Sequence, residues 1–159
     1  MYKVLTIAGS DSGGGAGIQA DIKTITALGG YATTVITALT AQNTLGVQSI
    51  LEVPASFVAQ QIDAIMTDIG TDAIKTGMLL NKDIVEVVST KIREYNITCF
   101  VVDPVMISKN GKNLLSADAV NVLTSKLFPL SLVVTPNIPE AEYISGLKIK
   151  TISDAEEAA

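Results

Sequence analysis

Two rhythms of apolar and polar positions alternate along this chain. Short β-branched runs without polar interruption are separated by longer stretches in which apolar residues recur every three or four positions. Lys3–Ala8 reads as a buried strand, and a Gly-rich loop follows from Gly9 to Ala16. A helix is expected from Gly17 to Leu28, with Ile18, Ile22 and Ile25 on one face and Gly29-Gly30 as its stop. Tyr31–Leu39 and Val47–Val53 read as strands. Pro54 opens a helix that keeps its spacing through Phe57, Val58, Ile62, Ile65 and Met66 to Ile69. Further strands are expected at Ala73–Lys75, Cys99–Val102 and Leu132–Thr135. Further helices are expected at Asn81–Tyr95, Ala117–Leu127 and Ile138–Ile144, the last stopped by Gly146.

Strands alternating with helices at this spacing predict an α/β fold, a mostly parallel sheet with helices on both faces. Strand runs that are apolar on both faces suit buried parallel strands. No repeat and no low-complexity linker divides the chain, so residues 1–159 read as one domain. Ser153-Asp154-Ala155-Glu156 has the pattern of a capping box, with Ser153 at the N-cap. The sequence stops three residues later, as if a helix were cut at its start. The expectation is therefore a domain whose C-terminal part is absent from these residues.

Composition narrows the chemistry. Of 159 residues, 48% are hydrophobic and 17% charged, which excludes a disordered chain. Eleven Lys and Arg stand against sixteen Asp and Glu, a net charge of −5. Arg93 is the one arginine, so the dense basic face of a nucleic-acid binder is missing. The absence of His removes Ser-His-Asp and Cys-His catalysis and every His-ligated metal site. One cysteine forms no internal disulfide and fits a reducing compartment. Cys99 lies in an apolar run and reads as a buried, inert thiol. No apolar run approaches the roughly 20 residues of a membrane span.

Several motifs sit where strands end, the place at which α/β folds bind ligands. The loop Gly9-Ser10-Asp11-Ser12-Gly13-Gly14-Gly15-Ala16-Gly17 joins a strand to a helix, and its glycines let backbone approach a ligand and offer N–H groups. It is no Walker A loop, because no Lys-Ser/Thr follows the final Gly. It is no dinucleotide fingerprint, because Ile18 stands at the sixth position from Gly13. Asp21 in the next helix either faces a ligand or solvates the helix, and both readings stay open. Gln42 and Asn43 follow the second strand, where an amide can read a heterocycle or merely fill a turn. Lys75 is a charge among apolar neighbours, and a structural ion pair is its expected use. Asp103 ends a buried strand before Pro104, placed to hold a cation or orient a hydroxyl. Glu140, three residues after Asn137, ends the next strand; it also fits a first-turn helix acid. Two acids on adjacent strand ends favour Mg²⁺ and phosphate chemistry.

Taken together, these motifs resemble one family. Thr6-Ile7-Ala8-Gly9-Ser10-Asp11-Ser12-Gly13-Gly14-Gly15-Ala16-Gly17-Ile18-Gln19-Ala20-Asp21 is similar to the opening of the hydroxymethylpyrimidine/phosphomethylpyrimidine kinases. So are the segment Val35–Thr44, the run Lys75-Thr76-Gly77-Met78-Leu79, Asp103-Pro104-Val105-Met106, and Thr135-Pro136-Asn137-Ile138-Pro139-Glu140-Ala141. They occur in family order over nearly the whole chain. The resemblance implies a ribokinase-like three-layer sandwich and a cytoplasmic, homodimeric enzyme of thiamine biosynthesis. Its activity would move the γ-phosphate of ATP, with Mg²⁺, to 4-amino-5-hydroxymethyl-2-methylpyrimidine and then to the monophosphate. By that resemblance Gly9, Ala16, Asp21, Gln42, Met78 and Val105 line the pyrimidine pocket, with Gln42 on the ring's nitrogen edge. Asp103, Asn137 and Glu140 fall on the nucleotide side, with Asp103 and Glu140 toward Mg²⁺.

Pyridoxal kinases share the opening and the Asn-x-x-Glu element and form the alternative; the Ala41–Thr44 segment looks more like the pyrimidine enzymes. One departure matters. The family's Gly-Thr-Gly-Cys or Gly-Thr-Gly-Asp segment, its anion hole and proposed base, has no counterpart in these residues. The expectation is that the 159 residues keep most of a substrate pocket but do not catalyse alone. A non-catalytic small-molecule-binding chain is the other reading. Missing strands would also leave an unpaired sheet edge and exposed apolar surface, favouring self-association.

Overall fold

A computed structural model describes residues 1–106 and 115–159. Its centre is a six-stranded sheet in the order β3-β2-β1-β4-β5-β6. The strands are β1 (Lys3–Asp11), β2 (Tyr31–Asn43), β3 (Gly46–Glu52), β4 (Ala73–Thr76), β5 (Phe100–Val102) and β6 (Val133–Val134). Every pairing is parallel except β2 with β3, an antiparallel hairpin at one edge. The helices are α1 (Gly17–Ala27), α2 (Ala55–Asp68), α3 (Lys82–Glu94), α4 (Ala117–Val122), α5 (Ile138–Ser145) and α6 (Ile152–Ala158). The mostly parallel α/β architecture expected from the alternation is present. Among the described residues no helix is long and apolar enough to cross a membrane.

The order in which strands are added to the sheet reverses between β1 and β4, which run parallel. The connection through α1 leads away from β1 on one side, and that through α3 leads away from β4 on the other. Right-handed crossovers then put α1 and α3 on opposite faces and open a crevice at the carboxyl ends of β1 and β4. Leu5, Thr6 and Ile7 of β1 are fully buried, as a strand covered on both faces requires. Phe100, Ile74, Val85 and Val88 continue the core toward α3. Each such large apolar side chain contributes about 1.5–3 kcal/mol by leaving water.

Several local expectations need correction. β1 runs on to Asp11 and β2 to Asn43, so the start of the Gly-rich loop and the Thr40–Asn43 segment are strand, not loop. Cross-strand hydrogen bonds hold these polar residues extended despite their weak β propensity. The helix expected over Ala117–Leu127 is α-helical only to Val122, then π-helical over Leu123–Leu127 and 3-10 over Phe128–Leu130. There Thr124 donates its hydroxyl to the Val120 carbonyl and Ser125 donates to that of Asn121, competing with the helix ladder. The last capping box starts at Thr151 with Asp154 as its acid, not at Ser153 with Glu156. Cys99 is exposed, not buried: it precedes β5, and the buried run begins at Phe100.

Candidate functional site

The candidate residues lie along the carboxyl edge of β2-β1-β4-β5-β6. Two irregularities shape the β1–β2 wall. The β1–β2 register jumps from Ala8↔Ile36 to Ser10↔Leu39, so β2 carries one extra residue opposite Gly9. The β2–β3 register shifts again beside Gln42. Gly9 is buried, and a Cβ placed on it would come within 2.5 Å of the Met78 Cε. Gly17 has φ +56° at the start of α1, where a side chain would run into the Gly9 carbonyl. Gly17 is therefore required by backbone conformation and close packing, whereas a side chain at Gly9 would have to displace the Met78 methyl. Thr37 donates its hydroxyl to the Met78 carbonyl at 2.6 Å, tying the chain after β4 to β2. Gly9, Met78 and the α1 N-terminus are thus brought together.

The loop between β1 and α1 is folded around Asp11, which is 5% exposed. Its carboxylate accepts N–H bonds from Gly13 at 2.8 Å, Gly15 at 3.0 Å and Ala16 at 2.9 Å. Those backbone donors were expected to face a ligand; three of them are instead satisfied within the loop. Gln19 accepts the Asp11 N–H and donates to the Ser10 hydroxyl. Ser12 latches Gln42: its hydroxyl donates to the Gln42 carbonyl at 2.7 Å and accepts the Gln42 N–H at 2.8 Å. The Gln42 side-chain oxygen accepts from Thr40 at 3.1 Å. Ala16 and Gln42 are thereby fixed by one loop.

Across the crevice, Lys75 forms the ion pair expected of it. Its Nζ lies 3.1 Å from Asp21 Oδ1 and 3.3 Å from Asp103 Oδ2. Thr6, fully buried, donates to Asp21 Oδ2 at 2.6 Å. A residue on the pyrimidine list and a residue on the nucleotide list are so joined through one ammonium. Asp103 is positioned by its own N–H bond to the Thr76 carbonyl, and Val105 follows it, half-buried, with its N–H on the Asp103 carbonyl.

Beyond β6, Asn137 caps α5. Its side chain accepts the Glu140 N–H at 2.9 Å, while Glu140 Oε2 accepts the Asn137 N–H at 3.0 Å. Glu140 is 3% exposed, and its Oε1 accepts the Met106 N–H at 3.2 Å, so it also clamps the segment after β5. The first-turn reading of Glu140 is realised, with this second task added. Among the described residues no group of three or more His, Cys, Asp or Glu could hold a metal ion by itself. Mg²⁺ commonly needs only one or two carboxylates, completed by phosphate oxygens and water. Asp103, with a side chain 35% exposed, fits that donor set. An all-protein cage does not.

Asp11, Ser12, Thr6 and Gln19 were not singled out by sequence reasoning. The signal for Asp11 was an acid followed at two, four and five residues by small loop residues, the spacing of local side-chain-to-backbone bonds. Two grooves lie elsewhere. One of about 370 Å³ runs between α2 and α3 beside Ala59, Val87 and Lys91; one of about 240 Å³ lies between α5 and α6. Neither contains the converging charged groups of the strand ends, which identify the site.

Comparison with known proteins agrees with this geometry. A family model described as phosphomethylpyrimidine kinase matches residues 11–159. The hydroxymethylpyrimidine/phosphomethylpyrimidine kinase of Bacillus subtilis (strain 168) is 52% identical over 159 residues, covering 100% of this chain and 59% of its own length. The crystal structure of phosphomethylpyrimidine kinase from Clostridium difficile 630 superimposes with a TM-score of 0.93 at 47% identity, over 99% of this chain and 68% of that one. The pyridoxal kinase from Staphylococcus aureus in complex with AMP-PCP and pyridoxal gives 0.86 at 38% identity, over 100% and 57%. The chain spans about half the length of the curated relatives that carry the pyrimidine kinase name.

Proposed function

Because this chain belongs to the phosphomethylpyrimidine kinase family, we propose that it builds the pyrimidine-binding part of an ATP-dependent kinase. The substrate is 4-amino-5-hydroxymethyl-2-methylpyrimidine and then its monophosphate. The observation that carries this reading is the Asp21–Lys75–Asp103 ion-pair chain between the two walls of the crevice. On one side Gly9, Ala16, Gln42, Met78 and Val105 surround the ring. On the other, Asp103, Asn137 and Glu140 face the nucleotide. Mg²⁺ would be held by Asp103 together with phosphate oxygens and water, where it would neutralise phosphate charge; Glu140, expected beside it, is buried with both oxygens on backbone N–H groups and would act by holding the segment after Asp103. In the first transfer a bond forms between the hydroxymethyl oxygen and the γ-phosphorus, the bond from that phosphorus to the β–γ bridging oxygen breaks to release ADP, and the hydroxyl proton passes to a base outside these residues or to water; in the second, an oxygen of the monophosphate is the acceptor. Such a reaction asks the protein for positioning and charge placement more than covalent chemistry. The same reading includes a cytoplasmic, homodimeric protein. Leu39 and Leu51, cross-strand partners on the β2–β3 hairpin, are exposed and support a partner surface there.

These 159 residues hold no Gly-Thr-Gly segment. They are therefore expected to bind the pyrimidine without phosphorylating it alone. The test mixes the chain with ATP, Mg²⁺ and the hydroxymethylpyrimidine, with pyridoxal in parallel, and reads product by mass spectrometry and binding by calorimetry. Pyrimidine binding without product, and product from a version extended through a Gly-Thr-Gly segment, supports the reading. Tighter binding of pyridoxal than of the pyrimidine replaces it with the pyridoxal kinase alternative. Phosphopyrimidine made by the 159 residues alone overturns the account of the missing base.

A further inference from the structure

We infer that Asp11 is a positioning residue that turns the Gly-rich loop into a rigid wall for a neutral ring instead of a cradle for phosphate. The inference rests on the pyrimidine-binding reading for its consequence but not for its geometry. A loop of this composition at a helix N-terminus ordinarily offers its N–H groups to an anion. Here the anion is built in. The buried Asp11 carboxylate takes the N–H groups of Gly13, Gly15 and Ala16, two of them on the same oxygen. A carboxylate has about four lone-pair sites, so one side chain satisfies all three donors. An asparagine offers a single acceptor oxygen and turns an NH₂ group toward the remaining donors.

The consequences reach two pocket residues. Ala16 is held directly by its N–H bond to Asp11. Gln42 is held indirectly: Ser12, the next residue after Asp11, bonds both the N–H and the carbonyl of Gln42. Gly13 lies in the same contact set, because a Cβ there would stand 3.2 Å from Asp11 Oδ1 and 3.4 Å from the Gln42 carbonyl. Gln19 completes the support by accepting the Asp11 N–H. Among the described residues no other charged side chain accepts from the N–H groups of this loop; Lys23 donates to the Gly14 carbonyl.

The experiment compares the whole chain with Asp11→Ala and Asp11→Asn variants. Backbone amide exchange at Gly13, Gly15 and Ala16 is followed by NMR, with Leu5 and Phe100 as core references, and hydroxymethylpyrimidine affinity is measured by calorimetry. Asp11→Ala is expected to speed exchange at the three loop amides at least tenfold, to leave the core references within twofold, and to weaken the pyrimidine at least tenfold. Asp11→Asn should fall between wild type and Asp11→Ala on both readouts. A merely structural acid would move the core references along with the loop. Loop amides that exchange at the wild-type rate in both variants overturn the positioning role, and so do freed loop amides with unchanged pyrimidine affinity. If the unaltered chain fails to bind the pyrimidine, the functional reading falls, and the amide pattern alone decides the role of Asp11. Should Asp11→Ala not fold, Asp11→Asn and Gln19→Ala, which removes the support without touching the carboxylate, carry the same comparison.

Discussion

The two walls of the crevice are built on different plans. The β1–β2 wall uses strands of nine and thirteen residues, and its polar groups bond one another: Asp11 to three amides, Ser12 to both backbone groups of Gln42, Gln19 to Asp11. The β5–β6 wall uses strands of three and two residues, and a single buried acid, Glu140, ties the ends of both together. The first plan suits a rigid ring read by shape and a few amides. The second leaves Asp103 partly exposed, as the proposed contact with phosphate requires. Among the described residues, side chains tie the first wall at several points, whereas in the second Glu140 is the side chain that bonds the segments after both strands, beside the backbone bond from the Thr135 N–H to the Val102 carbonyl.

Removing the Glu140 carboxylate should produce the largest effect. Glu140→Ala deletes the acid half of the α5 capping box, about 1 kcal/mol. It also strands the Met106 N–H in a buried place, about 1–3 kcal/mol more. A total loss of about 2–4 kcal/mol should appear as a lower urea midpoint with an unchanged slope. A loss below about 0.5 kcal/mol would show that the short wall has other supports and would erase the contrast.

The long wall should respond to Gln42→Ala in affinity instead of stability. Ser12 bonds the backbone of residue 42, which alanine keeps, so the strand end should stay in place. Pyrimidine binding should weaken by about 1–3 kcal/mol, the usual cost of leaving ring nitrogens without their partner. Calorimetry reads this directly. Unchanged affinity would remove Gln42 from the pocket.

The same contrast explains what could be read from the residues alone. The buried runs around Leu5, Ile74 and Phe100 announced their strands, because burial on two faces leaves no polar position to confuse the pattern. Lys75 announced an ion pair, because a lone ammonium among apolar neighbours must find a carboxylate. The polar ends of β1 and β2 did not announce themselves. Ser10, Asp11, Gln42 and Asn43 are residue types that favour turns, and only pairing with neighbouring strands holds them extended. The antiparallel direction of β3 depends on a short hairpin at Thr44-Leu45 that carries none of the usual glycine pairs. Cys99 misled for a similar reason: one residue decides whether a position precedes a strand or lies within it. The candidate residues were readable as a list. Their bonding to one another, above all the use of Asp11, requires three-dimensional positions that no spacing rule supplies.

The smallest effect is expected far from both walls, where α2 meets α3. Lys91 pairs with Asp63 at 2.7 Å and Glu94 at 2.9 Å, and Tyr95 donates its hydroxyl to Asp63 at 2.7 Å. The Lys91 hydrogen bond, then that of Tyr95, holds the Asp63 carboxyl below its ordinary 3.8. Asp63 and then Glu94 raise the Lys91 ammonium above its ordinary 10.5. For Asp63, a lowered value means stabilisation that is present above 3.8 and is lost as the pH falls through the lower folded value. For Lys91, a raised value means stabilisation that is present below 10.5 and is lost as the pH rises through the higher folded value. Both are at full strength near neutrality. Because the two carboxylates that Lys91 meets are exposed to solvent, Lys91→Met should cost only about 1 kcal/mol or less at about pH 7. The difference between variant and wild type in urea unfolding should shrink as the pH falls below 3.8 and through the lower folded value of Asp63. Pyrimidine affinity should not change, since the cluster touches neither wall. A cost that stays constant down to that acid range would assign the role of Lys91 to the packing of its methylene stem between the helices.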